Sequence, residues 1–352
     1  MKKRNYVINF LLILLLTVAA LWFALRDNFN EVMELLSNMK WYAFLAILLY
    51  GFGYVMVIGK IYQILGRKNK MNYRFRDGLN VAFVGMFFSG VTPSATGGQF
   101  GQAYIMKNQG IKISDGASIL WIDFIIYQGV MVAYTSILML LRFNYYYTEQ
   151  SNFFILVLIG YLVNSAVIVV LFAMAAFPKG FTKLCDIAVK LLSKTRFVKE
   201  PEKMVVAWNA QVSSFTEEIK KIKTMKKMIF QCILLNTIRF TLLYSLPYFI
   251  AFMMGLPVKS NMLFDIIVMS AFVYVSNAFF PVPGASGGTE AAFMLIFSTM
   301  FDRISTNSIM ILWRFASYHI IILVGGFVFV LLKHRFDKNK TSLIEREDYL
   351  DE

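Results

Sequence analysis

Residues 281–290 read Pro281-Val282-Pro283-Gly284-Ala285-Ser286-Gly287-Gly288-Thr289-Glu290, and residues 90–99 read Gly90-Val91-Thr92-Pro93-Ser94-Ala95-Thr96-Gly97-Gly98-Gln99. The two stretches share the pattern P-x-A-[ST]-G-G, from Pro93 to Gly98 and from Pro283 to Gly288. Aromatic-rich apolar sequence precedes each one (Phe87-Phe88 and Phe279-Phe280), and a helix-compatible stretch follows. Pro lacks a backbone N–H and Gly admits unusual dihedrals, so both stretches break a helix. Each break interrupts an apolar segment of membrane character. Irregular backbone at membrane depth survives only inside protein or beside a watery cavity. A matched pair of such breaks predicts two broken helices built to the same plan.

The flanking sequence supplies the membrane. Apolar runs of about 20 residues mark candidate spans. They lie between Arg4 and Arg26, over Trp41–Leu65, Ala117–Leu141, Phe153–Phe177, Ile229–Met254 and Ile309–Leu332. The first follows Lys2-Lys3-Arg4 but is longer than a signal-peptide core, so it reads as a retained signal-anchor. The predicted fold is an all-α polytopic membrane protein, with about six full transmembrane helices plus two broken re-entrant hairpins in an inverted repeat. Residues 1–333 form one transmembrane domain, with a basic insert at 178–228 and a charged tail at 334–352.

Composition agrees. The chain of 352 residues is 58% hydrophobic and 16% charged, against about 45–50% and about 25% in soluble proteins. That excludes disorder and low complexity. Two cysteines are too few for a disulfide framework, and no His/Cys cluster suggests a metal. No cofactor is expected, and no catalytic residue is assigned.

The formal charge of +14 would suggest nucleic acid in a soluble chain. Here it orients the protein instead. With a cytoplasmic N-terminus and both broken segments re-entering, the loop 66–78 (five Lys/Arg), the insert 178–228 (12 Lys/Arg against 5 Asp/Glu) and the tail all fall inside. The cytoplasmic segments then hold 27 Lys/Arg and 13 Asp/Glu, and the external segments hold five of each. Were the first broken segment to cross, the basic insert would lie outside, against the positive-inside tendency. Re-entry is therefore expected, with both termini cytoplasmic in a bacterial cell membrane. Within the insert Val205, Trp208, Val212, Phe215, Ile219 and Ile222 recur at helical spacing. That face fits either packing beneath the bundle or an anionic leaflet.

Six ionisable residues lie in or near spans: Lys60, Asp123, Arg239, Asp265, Glu290 and Arg314. Each costs at least about 2.5–3.5 kcal/mol on insertion scales, so each is expected to be paired or functional. Lys60 is placed to snorkel; Asp265 suits a cap or the interface. Arg239 sits too deep for that, and Asp123 and Glu290 are its natural partners. Glu290 begins a half-helix, where the dipole favours an acid. Arg314 shares a face with Ser317 and Tyr318 and suits a phosphate. His319 reads as structural. Thr96-Gly97-Gly98-Gln99 fits a capping box.

At its two broken motifs the chain resembles the flippase-like transmembrane family related to the multiple peptide resistance factor, the lysylphosphatidylglycerol synthase/flippase. The second motif fits the family's P-G-x-x-G-x-x-E pattern at Pro283, Gly284, Gly287 and Glu290. Near Gln102, where many relatives carry a basic residue, the chain departs from the family. Full-length relatives add a cytosolic domain that transfers lysine from lysyl-tRNA to phosphatidylglycerol, and no part of this chain resembles it. The resemblance implies a lipid translocase handling an anionic or aminoacylated phospholipid such as lysylphosphatidylglycerol, supporting envelope charge and cationic peptide resistance. A separate lipid aminoacyltransferase is a candidate partner; no nucleic acid is expected.

The expected substrate site gathers Pro93, Thr96, Gly97, Gly98 and Gln99 with Pro283, Gly284, Ser286, Gly287, Gly288 and Glu290. The half-helix N-termini after Gly98 and Gly288 would aim N–H groups at a lipid phosphate. Arg239 and Arg314 would neutralise it, while Asp123 and Glu290 balance those cations or hold an amine. No GxxxxGK[ST] pattern occurs, so direct ATP drive is not expected. Two other readings stay open: a lysyl-tRNA-dependent phosphatidylglycerol lysyltransferase or membrane subunit of one, and a non-transporting envelope scaffold.

Overall fold

The computed structural model describes residues 30, 33–34, 37–149, 151–193, 201–277, 280 and 283–348. The expected span between Arg4 and Arg26 lies outside them. The described chain runs α1 (Trp41–Arg67), α2 (Phe75–Val91), α3 (Gly98–Asn108), α4 (Ile113–Glu149), α5 (Ser151–Ala176) and α6 (Pro178–Ser193). It continues through α7 (Pro201–Thr224), α8 (Lys226–Met253), α9 (Met262–Ser276), α10 (Gly288–Phe297), α11 (Arg303–Arg314) and α12 (Ile320–Asp348). No strand occurs among the described residues. Five helical rods are long and apolar enough to cross a bilayer: α1, α4, α5, α8 and the run from Arg303 to Lys338. This is an all-α multi-pass membrane protein.

The order helix, broken hairpin, helix occurs twice. In the first, α3 folds back along α2: Gly98 lies against Ser89, Gly101 against Phe88, and Gln102 against Gly85. In the second, Thr289 at the start of α10 donates to Asn277 Oδ1 at the end of α9, at 2.8 Å. The leading helices α1 and α8 pack antiparallel, with Tyr50 stacked on Phe249 and Gly53 facing Leu242. Glycine sets the closest crossings. A Cβ at Gly78 would strike the Gly59 carbonyl, and one at Gly51 would strike that of Ala316. Small residues let membrane helices approach to backbone distance, which replaces the hydrophobic drive that lipid removes.

Helix α5 is the most apolar of the rods and the least buried. Its Leu158, Ile159, Leu162, Val163, Val169 and Val170 are exposed, as suits side chains that face lipid. Within the basic insert, the periodic residues lie on α7. The α7 face packs beneath the bundle, where Val212 and Ile219 meet Trp121, Ile125, Leu171 and Met174. Helix α6, by contrast, leaves Leu184 and Ile187 exposed beside Lys183. Beyond Lys333 the chain remains helical to Asp348, so the described part of the charged tail continues α12. Its mix of Lys, Arg, Asp and Glu supports a solvated helix as readily as a coil.

Candidate functional site

The two motifs adopt the same backbone in the Pro-x-Ala turn and part at the following glycines, where Gly97 has φ −75° and Gly287 φ 84°. Pro93–Ala95 and Pro283–Ala285 each form one 3₁₀ turn. Inside it Ser94 (φ 52°) and Gly284 (φ 62°) are left-handed, as are Ala95 (φ 55°) and Ala285 (φ 50°). Left-handed non-glycine residues cost of order 1–3 kcal/mol each and persist only where their surroundings hold them. Here the two turns are packed against each other. Tyr318 fastens the contact: its hydroxyl donates to the Gly90 carbonyl at 2.8 Å, and its ring fills the space a Gly284 side chain would need. Tyr318 lies in a π-helical turn, Phe315–His319, between α11 and α12. Tyr54 of α1 donates to the Ser317 carbonyl of that turn at 2.6 Å.

Arg314 clamps the second hairpin. Its Nε donates to Glu290 Oε1 at 2.7 Å, and one terminal nitrogen donates to the Gly284 carbonyl at 3.0 Å and to Ser286 Oγ at 3.4 Å. The guanidinium also lies 4.4 Å from the Tyr318 ring centroid. Glu290 Oε2 accepts from the Gly287 N–H at 2.6 Å, so the acid caps α10 while it pairs with the arginine. Both side chains are largely buried, at 8% and 15% exposure. Every charge in this half of the site is answered within the protein.

The first hairpin borders a cavity of about 150 Å³, open at one side. Its walls are Tyr62 of α1, Gly85 and Ser89 of α2, Gln99 and Gln102 of α3, Asp123 and Tyr127 of α4, and Arg239 of α8. Asp123 lies ten residues into α4, roughly 15 Å at about 1.5 Å per residue, and Arg239 lies thirteen into α8, roughly 20 Å. Asp123 Oδ2 accepts from the Tyr62 hydroxyl at 2.7 Å, and that oxygen in turn accepts from Gln102 Nε2 at 2.7 Å. Arg239 lies 4.6 Å from the Tyr127 ring centroid, with only a long 3.5 Å contact to Asn236 Oδ1. Asp123 Oδ1 and Arg239 Nε are buried without a hydrogen-bond partner, and no ion pair joins the two residues.

Pairing therefore differs from expectation. Glu290 answers Arg314 rather than Arg239, because α10 and α11 are neighbours. Asp123 is held by a tyrosine, and Arg239 rests on an aromatic face. Asp265 pairs with Arg142 at 2.8 Å, tying the far end of α4 to the start of α9. Lys60 is exposed and donates to Gln63 at 2.8 Å. His319 is buried beside Tyr318. The expected Thr96 cap is replaced: the Gly97 N–H donates to Thr92 Oγ1 at 2.8 Å, and α3 begins at Gly98 with no side-chain cap. A residue five earlier reaches that N–H because the left-handed turn swings Thr92 back over the helix start.

Of the predicted residues, Pro93, Thr96, Gly97 and Gly98 form the first turn and the start of α3, and Gln99 faces the cavity with Asp123 and Arg239. Pro283, Gly284, Ser286, Gly287, Gly288, Glu290 and Arg314 assemble around the second turn. Sequence reasoning missed Tyr62 and Tyr127 as working parts, since tyrosine in an apolar span carries no distinguishing pattern. Gln102 stood out only as a departure from a family pattern. The family model described as the lysylphosphatidylglycerol synthase TM region matches residues 8–325. A comparison with curated proteins finds no match. With both motifs, their shared turn geometry and nearly the whole length accounted for, the chain belongs to the lysylphosphatidylglycerol synthase transmembrane-region family.

Proposed function

We propose that the chain is a lipid translocase of the bacterial cytoplasmic membrane, moving an anionic or aminoacylated phospholipid such as lysylphosphatidylglycerol between leaflets. The observation that carries this reading is the cavity beside the first hairpin, which the half-buried Asp123 and Arg239 line deep within their spans with no ion pair between them. Unpaired intramembrane charges are expensive and mark pathways or binding sites. Broken helices meeting near the middle of two similarly ordered halves are the membrane pattern for a substrate site between moving parts. The headgroup would enter the cavity while its acyl chains stay in lipid. Gln99, in the first turn of α3, and the helix N-terminus behind it favour an anion. Passage to the other leaflet requires the Tyr318 contact between the turns to open.

Translocation would raise the share of aminoacylated lipid in the outer leaflet and so support resistance to cationic peptides. A separate aminoacyltransferase would supply such a lipid. The test is reconstitution in liposomes that carry fluorescent phosphatidylglycerol, with external dithionite reporting on outer-leaflet probe. Bleaching beyond the half expected of a sealed bilayer is the predicted result, with Asp123→Asn and Arg239→Gln slowing it at least about ten-fold, the loss of about 1.4 kcal/mol. No excess bleaching over empty liposomes overturns the reading. Lysyl transfer from lysyl-tRNA by the same preparation would establish the lysyltransferase alternative. An envelope function that survives both substitutions in cells would point to a scaffold.

A further inference from the structure

Helix α6 divides its surface three ways. Phe181, Cys185 and Val189 recur every four residues and form the row turned toward the protein. Val189 is buried and the other two are half-buried, with Phe181 in the cluster that holds Trp121, Met174 and Val212. Leu184 and Ile187, with Phe177 just before the helix, share a second face and are 64%, 57% and 69% exposed. Lys179, Lys183 and Lys190 make a third row, and all are exposed. At about 3.6 residues per turn, the lysine row borders the exposed apolar face on the side away from the packed row. The one acid on the helix, Asp186, is half-buried.

Lipid already covers the neighbouring surface. Helix α5 leaves Val169, Val170 and Phe172 exposed near its end, and α6 begins one residue after α5 stops. The Phe177 N–H still bonds to the Ala173 carbonyl at 2.9 Å, so helical spacing carries through the junction and sets Phe177 on the Val170 face. The depth fits as well. Trp121, in the same cluster as Phe181, lies eight residues into α4, roughly 12 Å at about 1.5 Å per residue. The first turn of α6 is therefore level with the end of the bundle where α4 begins, not beyond it. We infer that α6 is a docking helix for the anionic surface of the bilayer, with Phe177, Leu184 and Ile187 in the acyl boundary and Lys179, Lys183 and Lys190 among lipid phosphates. Long lysine stems lie along apolar surface while their ammonium groups reach the headgroups. A negative leaflet favours each lysine about five-fold. The contact reads surface charge rather than one headgroup, and it stands apart from the translocase reading.

The experiment is spin labelling of the full chain in nanodiscs of phosphatidylcholine, alone or with phosphatidylserine at about one lipid in four. Cys185→Ser removes the half-exposed thiol, and Cys232 is buried. A nitroxide is placed at Leu184→Cys, Ile187→Cys or Lys183→Cys, then challenged with oxygen, which concentrates in lipid, and with a nickel chelate, which stays in water. With phosphatidylserine present, the ratio of oxygen to chelate collisions at 184 and 187 is expected to exceed that at 183 at least five-fold. Phosphatidylglycerol in its place should give the same result. Lys179→Gln with Lys190→Gln should return positions 184 and 187 to their values in phosphatidylcholine alone. The comparison between lipids keeps these lysines, so the inference stays testable if that double variant does not insert. Chelate reaching 184 and 187 as freely as 183 leaves the helix in water and overturns the inference. Protection from both reagents assigns the face to a protein partner or a second copy, and overturns it too. Equal lipid contact with and without phosphatidylserine overturns the role given to the lysines.

Discussion

Replacing Glu290 by Gln removes one charge from the Arg314 clamp and almost no volume. The carboxylate accepts two bonds, from Arg314 Nε at 2.7 Å and from the exposed Gly287 N–H at 2.6 Å, and the Arg314 and Glu290 side chains are largely shielded from solvent. A hydrogen bond to a charged group contributes about 1.5–3 kcal/mol and a neutral one about 0.5–1.5. Glutamine can keep only one of the two, through its carbonyl oxygen. The loss is therefore ~2–3 kcal/mol, short of the roughly 3–5 kcal/mol for deleting one partner of a buried pair outright. It corresponds to a shift of roughly 30- to 150-fold in the unfolding equilibrium, at about 1.4 kcal/mol per decade. Mixed-micelle titration with SDS measures it, followed by near-ultraviolet circular dichroism, to which Trp313 next to the clamp contributes. Arg314→Gln and the double variant complete a cycle whose coupling should exceed about 1 kcal/mol. A Glu290→Gln shift under about 0.5 kcal/mol, or additive single effects, would refute the claim that this pair holds the second turn.

Gly284→Ala places a methyl group where the Tyr318 phenol lies, at a left-handed φ of 62°, and should lower stability by about 1–3 kcal/mol. Adding Gly90→Ala should not rescue it, whereas Tyr318→Ala should recover part of the loss in thermal melting. Tyr62→Phe should cost only about 1 kcal/mol in melting experiments yet slow lipid flipping several-fold, because it unties Asp123 without unpacking α1. Asp302 caps α11 by accepting from the Ile304 and Ser305 N–H groups, both at 3.0 Å, and the Ser305 hydroxyl together with these bonds holds its carboxyl below the usual carboxylate range. Its contribution is complete above the unfolded value of about 3.9 and fades as pH falls through the depressed folded value. Melting curves between pH 2 and 7 should show that acid-side loss diminished in Asp302→Asn, while Asp302→Ala loses about 1 kcal/mol at neutral pH.

Hydropathy located the five described spans to within a few residues, since long apolar runs have few other uses. Pro93 and Pro283 marked both breaks, because proline and paired glycines act on the backbone itself, whatever surrounds them. Partner choice was not legible. Whether Glu290 meets Arg239 or Arg314 depends on how α10 is rotated against its neighbours, and no spacing along the chain encodes that. The Thr92 contact to Gly97 was hidden for a related reason. It depends on the sense of the Ser94–Ala95 turn, and neither residue is one from which a left-handed dihedral would be read. The tether from Gln102 through Tyr62 to Asp123 joins three helices, and only the folded chain shows that Gly85 leaves room for it.

The contact between the two turns also has an electrical consequence. An unbroken bilayer spreads its voltage over about 30 Å of hydrocarbon. Where water enters from both faces as far as the turns, nearly all of that drop is compressed into the septum that Tyr318 bolts to Gly90. A charge crossing the septum senses almost the full membrane voltage, about 2.3 kcal/mol per elementary charge per 100 mV. A headgroup with balanced charges would pass with little regard for polarity. One with an extra ammonium would be strongly rectified by it, so voltage would sort lipids that the binding walls alone hold equally well.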